Sequence, residues 1–446
     1  MYNLYMFLKN KDFNIDYVSL ALFRLGLILT AFAMPLEIVP NNFLSLLSWL
    51  INILLVQRAI YLFAFKKNKL AFNFKKDSLI LAAFTLPLLA IFISTLFSFY
   101  KVVALLELRG LIVLVVRKLI IIFISRKEDI RLFINSIYIV TVLVIIFAFF
   151  QFYADLLGVS VNITRLISNY TSKGTYPFPR VHSFAHEPLY LANYLLIALG
   201  LVCVDLVINK EKSKWWIKAL FILIVLLIIL TVARGAIIGL IFGIFVLLVL
   251  TWDFKLFKQI FIYSAASIII SLSVLSSASF IKKDTVINSF GNHATNTKDE
   301  SVTNRTNTWK YAIKAIIAKP LTGVGGANSQ YFIGESNPVD LKNNSTGLYK
   351  IIVFNNSLIT FLAEYGIIGI TSLMPLCYLF IIIGRDLILL KPKSYTVGLF
   401  AFTIAVIIQA MTFEIILLLR FWMLLALLMA IWRMDIKSKN NLLNYK

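Results

Sequence analysis

Apolar residues run through this chain in long unbroken stretches, without the strict alternation of a half-buried strand, so the stretch itself is the unit to read. A helix needs about 20 apolar residues to cross the hydrocarbon core of a bilayer. Runs of that order fall near 17–36, 43–64, 78–99, 102–124, 132–156, 188–208, 216–232, 236–251, 259–280, 367–384, 395–413 and 415–432. Their continuity argues for helices and against an outer-membrane barrel, whose strands alternate. The expected fold is therefore an all-α polytopic membrane protein with about twelve transmembrane helices. The seventh and eighth runs meet at Ala233-Arg234-Gly235, and the fourth carries Glu107, Arg109, Arg117 and Lys118.

Composition agrees with the pattern: of 446 residues, 60% are hydrophobic and 14% charged. A net charge of +22 would suggest nucleic acid in a soluble protein, but here the position of the charge decides its meaning. Lys66, Lys67, Lys69, Lys75 and Lys76 follow the second run, and Arg126, Lys127 and Arg131 the fourth. Lys210, Lys212, Lys214 and Lys218 follow the sixth, Arg385, Lys391 and Lys393 the tenth, and Arg433, Lys437, Lys439 and Lys446 form the tail. The positive-inside rule makes these alternate loops cytoplasmic and puts both termini inside, in agreement with an even number of helices, which keeps the two termini on one side. Nothing in 1–16 reads as a cleavable leader, so the first run is expected to stay as an anchor. Cys203 and Cys377 sit in separate runs and read as packing residues.

Three regions follow: helices one to nine in 1–280, an outer loop in 281–353, and in 354–446 a segment returning to the membrane with helices ten to twelve. The loop opens with a polar piece, 288–308, read as irregular. A helix is expected next, since Trp309, Ala312, Ile313, Ile316 and Ile317 recur at helical spacing with Lys310 and Lys314 on another face, as in a segment lying on the membrane surface. Pro320 ends it and Gly323-Val324-Gly325-Gly326 turns the chain.

A cation at the edge of a membrane helix is costly unless it meets a polar cavity or a counter-ion. Arg180 and Arg234 stand at such places on the outer side, with Arg305 in the outer loop, and a guanidinium fork suits phosphate. The plain alternative is an anchor that reaches for the headgroups, which fits Arg24, Arg58 and Arg420 equally well. His182 and His186 are four apart, yet no acid or thiol completes a ligand set, so no metal site is expected. Glu187 precedes Pro188 and suits the first turn of a helix; in a partly desolvated pocket the same carboxylate would act as general base towards a sugar hydroxyl. No nucleotide-binding loop, hydrolase elbow or dinucleotide fingerprint is present, so the energy must come from an activated substrate or an ion gradient.

Four stretches together resemble the O-antigen ligase and O-antigen polymerase superfamily. Arg180 to Pro188, leading to Ala192, is similar to its Arg, Phe, Glu-Pro, Ala pattern. Ala233-Arg234-Gly235 resembles its Ser-Arg-Gly between two helices. Arg305, Trp309, Ala312, Pro320, Gly323 and Gly325 follow its outer-loop pattern. Asn355-Asn356, nine residues from Ser357 to Tyr365, and Gly366-Ile367-Ile368-Gly369 match the ligase signature of His-Asn, nine residues, Gly-x-x-Gly. The ligase histidine falls on Asn355, and an amide takes no proton at neutral pH, which tilts the reading from ligase towards polymerase.

The resemblance implies glycosyl transfer on the periplasmic face of the bacterial inner membrane, without cofactor, metal or nucleic acid. The donor and acceptor would be glycans on undecaprenyl diphosphate, with a chain-length regulator or flippase as further partners. Arg180, Arg234, Arg305, His186 and Asn356 would hold diphosphate or glycan, and Glu187 and Asn355 would be catalytic, Glu187 accepting the proton. An O-antigen or protein-glycan ligase is the alternative within the group, and a lipid-linked sugar transporter the rival outside it, which internal pseudo-symmetry would favour.

Overall fold

The structure, a computed structural model, describes residues 15–36, 42–65, 74–159, 163, 180–209, 213–282, 300–329, 354–390, 395–415 and 418–443. The lysines at 66–69, 210–212, 391–393 and 446 lie outside these, as do 283–299, 330–353 and all of 160–179 but residue 163. The described chain is helical throughout its ordered elements: α1 (Ile15–Ala33), α2 (Asn42–Phe65), α3 (Phe74–Leu96), α4 (Lys101–Ile124), α5 (Lys127–Leu156), α6 (Pro188–Asn209), α7 (Trp215–Thr231), α8 (Arg234–Thr251), α9 (Phe254–Lys282), α10 (Glu300–Ala318), α11 (Ser357–Ser372), α12 (Met374–Leu390), α13 (Tyr395–Gln409) and α14 (Leu419–Leu443).

Helices lie on each apolar run, the tenth being divided between α11 and α12. Eight described helices are long and apolar enough to cross a bilayer, or nine if the bent pair α11 and α12, at 55° to each other, forms one span. Among the others, α4 carries the four charges noted above and α7 has only 17 residues. Large apolar side chains such as Phe261, Ile269 and Phe280 on α9 point outward, the arrangement a hydrocarbon solvent favours.

Helix ends that abut the basic loops are tied to one another. Arg58 pairs with Asp16 at 2.6 Å, Arg433 with Asp77 at 2.8 Å and Arg24 with Asp129 at 2.8 Å. Asp205 accepts hydrogen bonds from the hydroxyls of Tyr138 and Tyr395. These contacts gather the start of α1, α3, α5 and α13 and the end of α2, α6 and α14 at one face, which we term the basic face. They also correct the reading of Arg24 and Arg58 as headgroup anchors: both are paired with an acid on another helix, and Arg58 is 2% exposed.

The other end of the bundle is built on two close contacts. Gly235, Gly239 and Gly243 line one side of α8, and a Cβ on them would meet Thr412, the Ala405 carbonyl and the Ala405 side chain at 2.3, 2.6 and 2.9 Å. Only a bare backbone lets α8 and α13 approach so closely, the small-residue packing common between membrane helices. The second contact is a break in α11. At Gly366 the backbone turns to φ 66° and ψ −164°, and the helical hydrogen-bond ladder stops.

The outer-loop helix α10 starts nine residues before Trp309, at Glu300, so the polar piece 288–308 is not irregular to its end. Ser, Thr and Asn disfavour a helix by only fractions of a kcal/mol each, and packing overrides that. Ala312 and Ala315 are buried against Val324, Phe354 and Ala363, and the Trp309 indole donates to the Phe354 carbonyl at 3.1 Å. Ile313 and Ile317 remain exposed, as an interfacial helix requires.

Because α3 runs from Asp77 on the basic face to Phe97, where the Lys319 ammonium donates to the Phe97 carbonyl, α10 lies at the opposite face. A cysteine replacing Asn304 should accordingly react with a membrane-impermeant maleimide from the periplasmic side only. Labelling from the cytoplasmic side alone would reverse the topology.

Candidate functional site

Arg180 is delivered by a turn anchored to α5. The Gln151 side-chain oxygen accepts the N–H groups of His182 and Ser183 at 3.0 and 2.8 Å, and Ser183 takes a left-handed φ of 51°. His182 Nδ1 lies 2.8 Å from the Ala185 carbonyl, so it carries the proton, and Nε2 accepts from the Gln151 amide at 2.8 Å. Both ring nitrogens are thereby used, which assigns His182 to the scaffold. Among the described residues no group of three or more His, Cys, Asp or Glu side chains is placed to hold a metal ion.

From this turn the Arg180 Nε–H donates to the Thr231 carbonyl at 3.1 Å. Thr231 ends α7, Val232 closes it with a left-handed φ of 53°, and Arg234 opens α8. Arg180 therefore reaches the corner that presents Arg234, and both are half-buried. Glu187 lies just before α6, where its carbonyl accepts the N–H groups of Tyr190 and Leu191. Its carboxylate forms no hydrogen bond or ion pair among the described residues, neither a helix cap nor a pair with Arg180. His186 beside it is half-buried.

The segment from Gln409 to Ile415 ties these pieces to the Asn355 motif. Gln409, fully buried, donates to the Leu189 carbonyl at 3.1 Å and accepts from Asn193 at 2.9 Å. Arg420 donates to Asn193 at 2.8 Å and lies over the Tyr190 ring. With 1% exposure it is no headgroup anchor, a correction to the sequence reading: its fork is spent inside the bundle. Thr412 packs on Gly235, next to Arg234, and the Phe413 ring meets Tyr190 edge-on at 5.2 Å. On the other side, Asn356 donates to the Met411 carbonyl at 3.0 Å, and Ser357 donates to the Phe413 carbonyl at 2.8 Å while accepting the Ile415 N–H at 2.9 Å.

Asn356 also caps α11, its side-chain oxygen accepting the N–H groups of Leu358 and Ile359 at 3.0 and 3.1 Å. Both ends of that amide are therefore committed within the chain. Asn355 is half-buried with a left-handed φ of 52°, a conformation in which Asn and His are enriched among non-glycine residues. Arg305 lies on α10 one helical turn before Trp309, and its side chain is outside what the structure describes.

The two glycine motifs lock together. At the Gly366 break the freed carbonyls of Ala363 and Glu364 accept the N–H groups of Val324 and Gly325 at 3.0 and 2.9 Å. The N–H groups of Ile367 and Ile368 donate to the carbonyls of Pro320 and Leu321 at 2.9 and 3.2 Å. Gly326 lies against Glu107 of α4, which accepts the Tyr365 hydroxyl at 2.5 Å.

One residue that sequence reasoning passed over, and one whose role it missed, stand in this assembly. Glu414 follows Phe413 in the short stretch between α13 and α14, and it shares a hydrogen bond with Thr360 of α11. Arg420 was visible as an intramembrane cation, but its partner Asn193 is a lone amide in an apolar stretch of another helix and carried no periodic signal.

Residues 219–374 match the family model described as O-antigen ligase. The match spans three of the four motifs, from Arg234 to Gly369, and stops short of the Arg180 turn. It supports a membrane enzyme of the O-antigen ligase or polymerase type acting on glycans in a bilayer. No curated protein matches the chain.

A Cβ at Gly366 would lie 2.3 Å from the Leu321 carbonyl oxygen, on a backbone that also disfavours a side chain. Gly366→Ala should cost about 2–3 kcal/mol or more, read as a lower melting midpoint of the purified protein. Gly110→Ala, where nothing lies within 4 Å, should leave the midpoint unchanged or raise it.

Proposed function

We propose, on the match of residues 219–374 to the O-antigen ligase family model and the four motifs, that this chain polymerises undecaprenyl-diphosphate-linked oligosaccharide repeat units on the periplasmic face of the inner membrane. The observation that supports the reading is a chain of contacts at the face opposite the basic loops: Arg180 reaches the Thr231 carbonyl beside the Arg234 corner, Gly235 lies against Thr412, and Asn356 and Ser357 bond to the carbonyls of Met411 and Phe413. Each of those three motifs would be at home in a different part of an unrelated transporter; their joining at one corner supports a single reaction site.

The chemistry follows from the charges. A diphosphate leaving group gains negative charge as its bond to the sugar breaks, so cationic forks beside it help most in the transition state. Arg180 and Arg234 have that position in the proposal, with Arg305 joining them from α10. Asn355 would hold a sugar or phosphate oxygen by hydrogen bonds, a contribution of about 1 kcal/mol, and Asn356 would fix its neighbour through the α11 cap. His186 lines the approach beside Arg180. A chain-length regulator and a flippase are the partners this reading implies.

The matching family description favours a second reading, transfer of finished glycan to a lipid or protein acceptor. The departure at Asn355 favours polymerisation, since the ligase pattern has a titratable histidine there. A deletion strain separates the two: products with a single repeat unit indicate a lost polymerase, and long unattached polymer a lost ligase.

Arg234→Lys keeps the charge and loses the fork. Hydrogen bonds to charged groups contribute about 1.5–3 kcal/mol, so chain growth by the purified variant should fall about ten- to a hundredfold. Wild-type rates in this variant would remove Arg234 from the diphosphate site.

A further inference from the structure

The proposed transfer leaves one proton to be placed. The acceptor hydroxyl oxygen forms a bond to the anomeric carbon of the donor sugar, and the bond from that carbon to the diphosphate oxygen breaks. The bonding pair leaves with the diphosphate, and the hydroxyl proton must pass to a base. Asn355 takes no proton at neutral pH. Glu187 has a free carboxylate, but among the described residues nothing orients it.

Resting on the glycosyl-transfer reading, we propose that Glu414 is the base: the Gln409–Ile415 segment holds its carboxylate between the Asn355 motif and the Arg234 corner, where the acceptor hydroxyl meets the activated sugar. Its backbone is held on both sides by one side chain, since Ser357 donates to the carbonyl before it and accepts the N–H after it. Two residues before it, Thr412 is pressed on Gly235, the neighbour of Arg234. The carboxylate itself is met from a different helix: Thr360, on the first turn of α11, shares a hydrogen bond with it. One acid is thus fixed by its backbone to the start of the Asn355 motif and by its side chain to the helix that motif opens.

Thr360 suits both states of a base. Its single hydroxyl hydrogen is directed to the Asn356 carbonyl at 2.9 Å, which leaves its oxygen free to accept from a protonated Glu414. When Glu414 is ionised, the same hydrogen can turn to the carboxylate. Removal from water, and next the charge of Glu107, push the Glu414 carboxyl up to about 8, against the Thr360 hydrogen bond, which pulls it down. Proton affinity near the working pH is what a general base needs. The titratable groups that face Glu414 are Glu107 of α4 and Glu364 and Tyr365 of α11, with Arg234 on the side of Thr412.

The test uses the full-length protein, purified in detergent, with lipid-linked repeat unit extracted from the deletion strain. Ladder formation by the wild type reads the polymerase proposal, and transfer to a lipid or protein acceptor in its place reads the ligase alternative. The variants are then compared on whichever acceptor the wild type uses, so the base assignment is judged separately. Glu414→Gln should lower the rate about a hundredfold or more, with an unchanged melting midpoint and undiminished binding of the extracted donor. The wild-type rate should rise with pH and level off above about 8, because the base must be ionised, and Glu414→Asp should retain activity with that rise displaced. Near-normal turnover by Glu414→Gln, or the same pH rise in that variant, would overturn the assignment; loss confined to Glu187→Gln would pass the role to Glu187.

Discussion

A helix that breaks within a membrane releases backbone groups that lipid cannot satisfy, each costing several kcal/mol if left alone, and the exchange of hydrogen bonds at Gly366 is what makes the break tolerable here. The Pro320–Gly326 turn supplies two donors and two acceptors to the four released groups. The Ser94 hydroxyl adds a bond to the Glu364 carbonyl at 2.7 Å, and the Phe99 N–H ties the corner of α3 and α4 to Val324. Three separate stretches of chain are thus held at one level of the bundle, and the turn needs bare backbone where it crosses α11: a Cβ on Gly323 would lie 2.3 Å from the Glu364 carbonyl.

That fixed level determines what lies above it. With α11 held at the break, its first turn and the Asn356 cap have a defined position, and Met411, Phe413 and Ile415 bond to Asn356 and Ser357 rather than to solvent. The same segment is held from behind by Gln409 and by the close approach of α8 and α13. Arg234 is therefore positioned by packing several residues away, and Arg180 by a turn anchored through Gln151. Packing and the Gln151 anchor thus set the backbone from which each arginine side chain extends.

Much of the fold was legible because a bilayer imposes one simple rule, a continuous apolar run of sufficient length, and helices lie on each run, although the tenth is divided between α11 and α12. The polar start of α10 was not legible, since its helical state rests on Ala312, Ala315 and Trp309 packing against residues some forty positions later. The arginines at Arg180 and Arg234 stood out as cations at helix edges, and the structure brings their two corners together. Glu414 and Arg420 did not stand out in that way. A lone acid in a short loop and a cation in an apolar run carry no spacing, and their meaning comes only from Thr360, Asn193 and Tyr190, which the fold brings from other helices.

The three acids at this end of the bundle are not equivalent. Glu107 accepts the Tyr365 hydroxyl and lies beneath Gly326, and Glu364 accepts the Ser329 N–H, so each links the break to a neighbouring element. Ionisable groups at membrane depth are expensive and are kept where they do something, and joining elements is a sufficient reason for these two. Glu414 joins nothing that Ser357 and Asn356 do not already join. Its carboxylate has a hydroxyl partner able to serve it with or without a proton, and it borders the corner that carries Arg234. A group redundant for structure, poised between two protonation states and adjacent to the cationic corner fits the transfer of a proton better than the support of a fold.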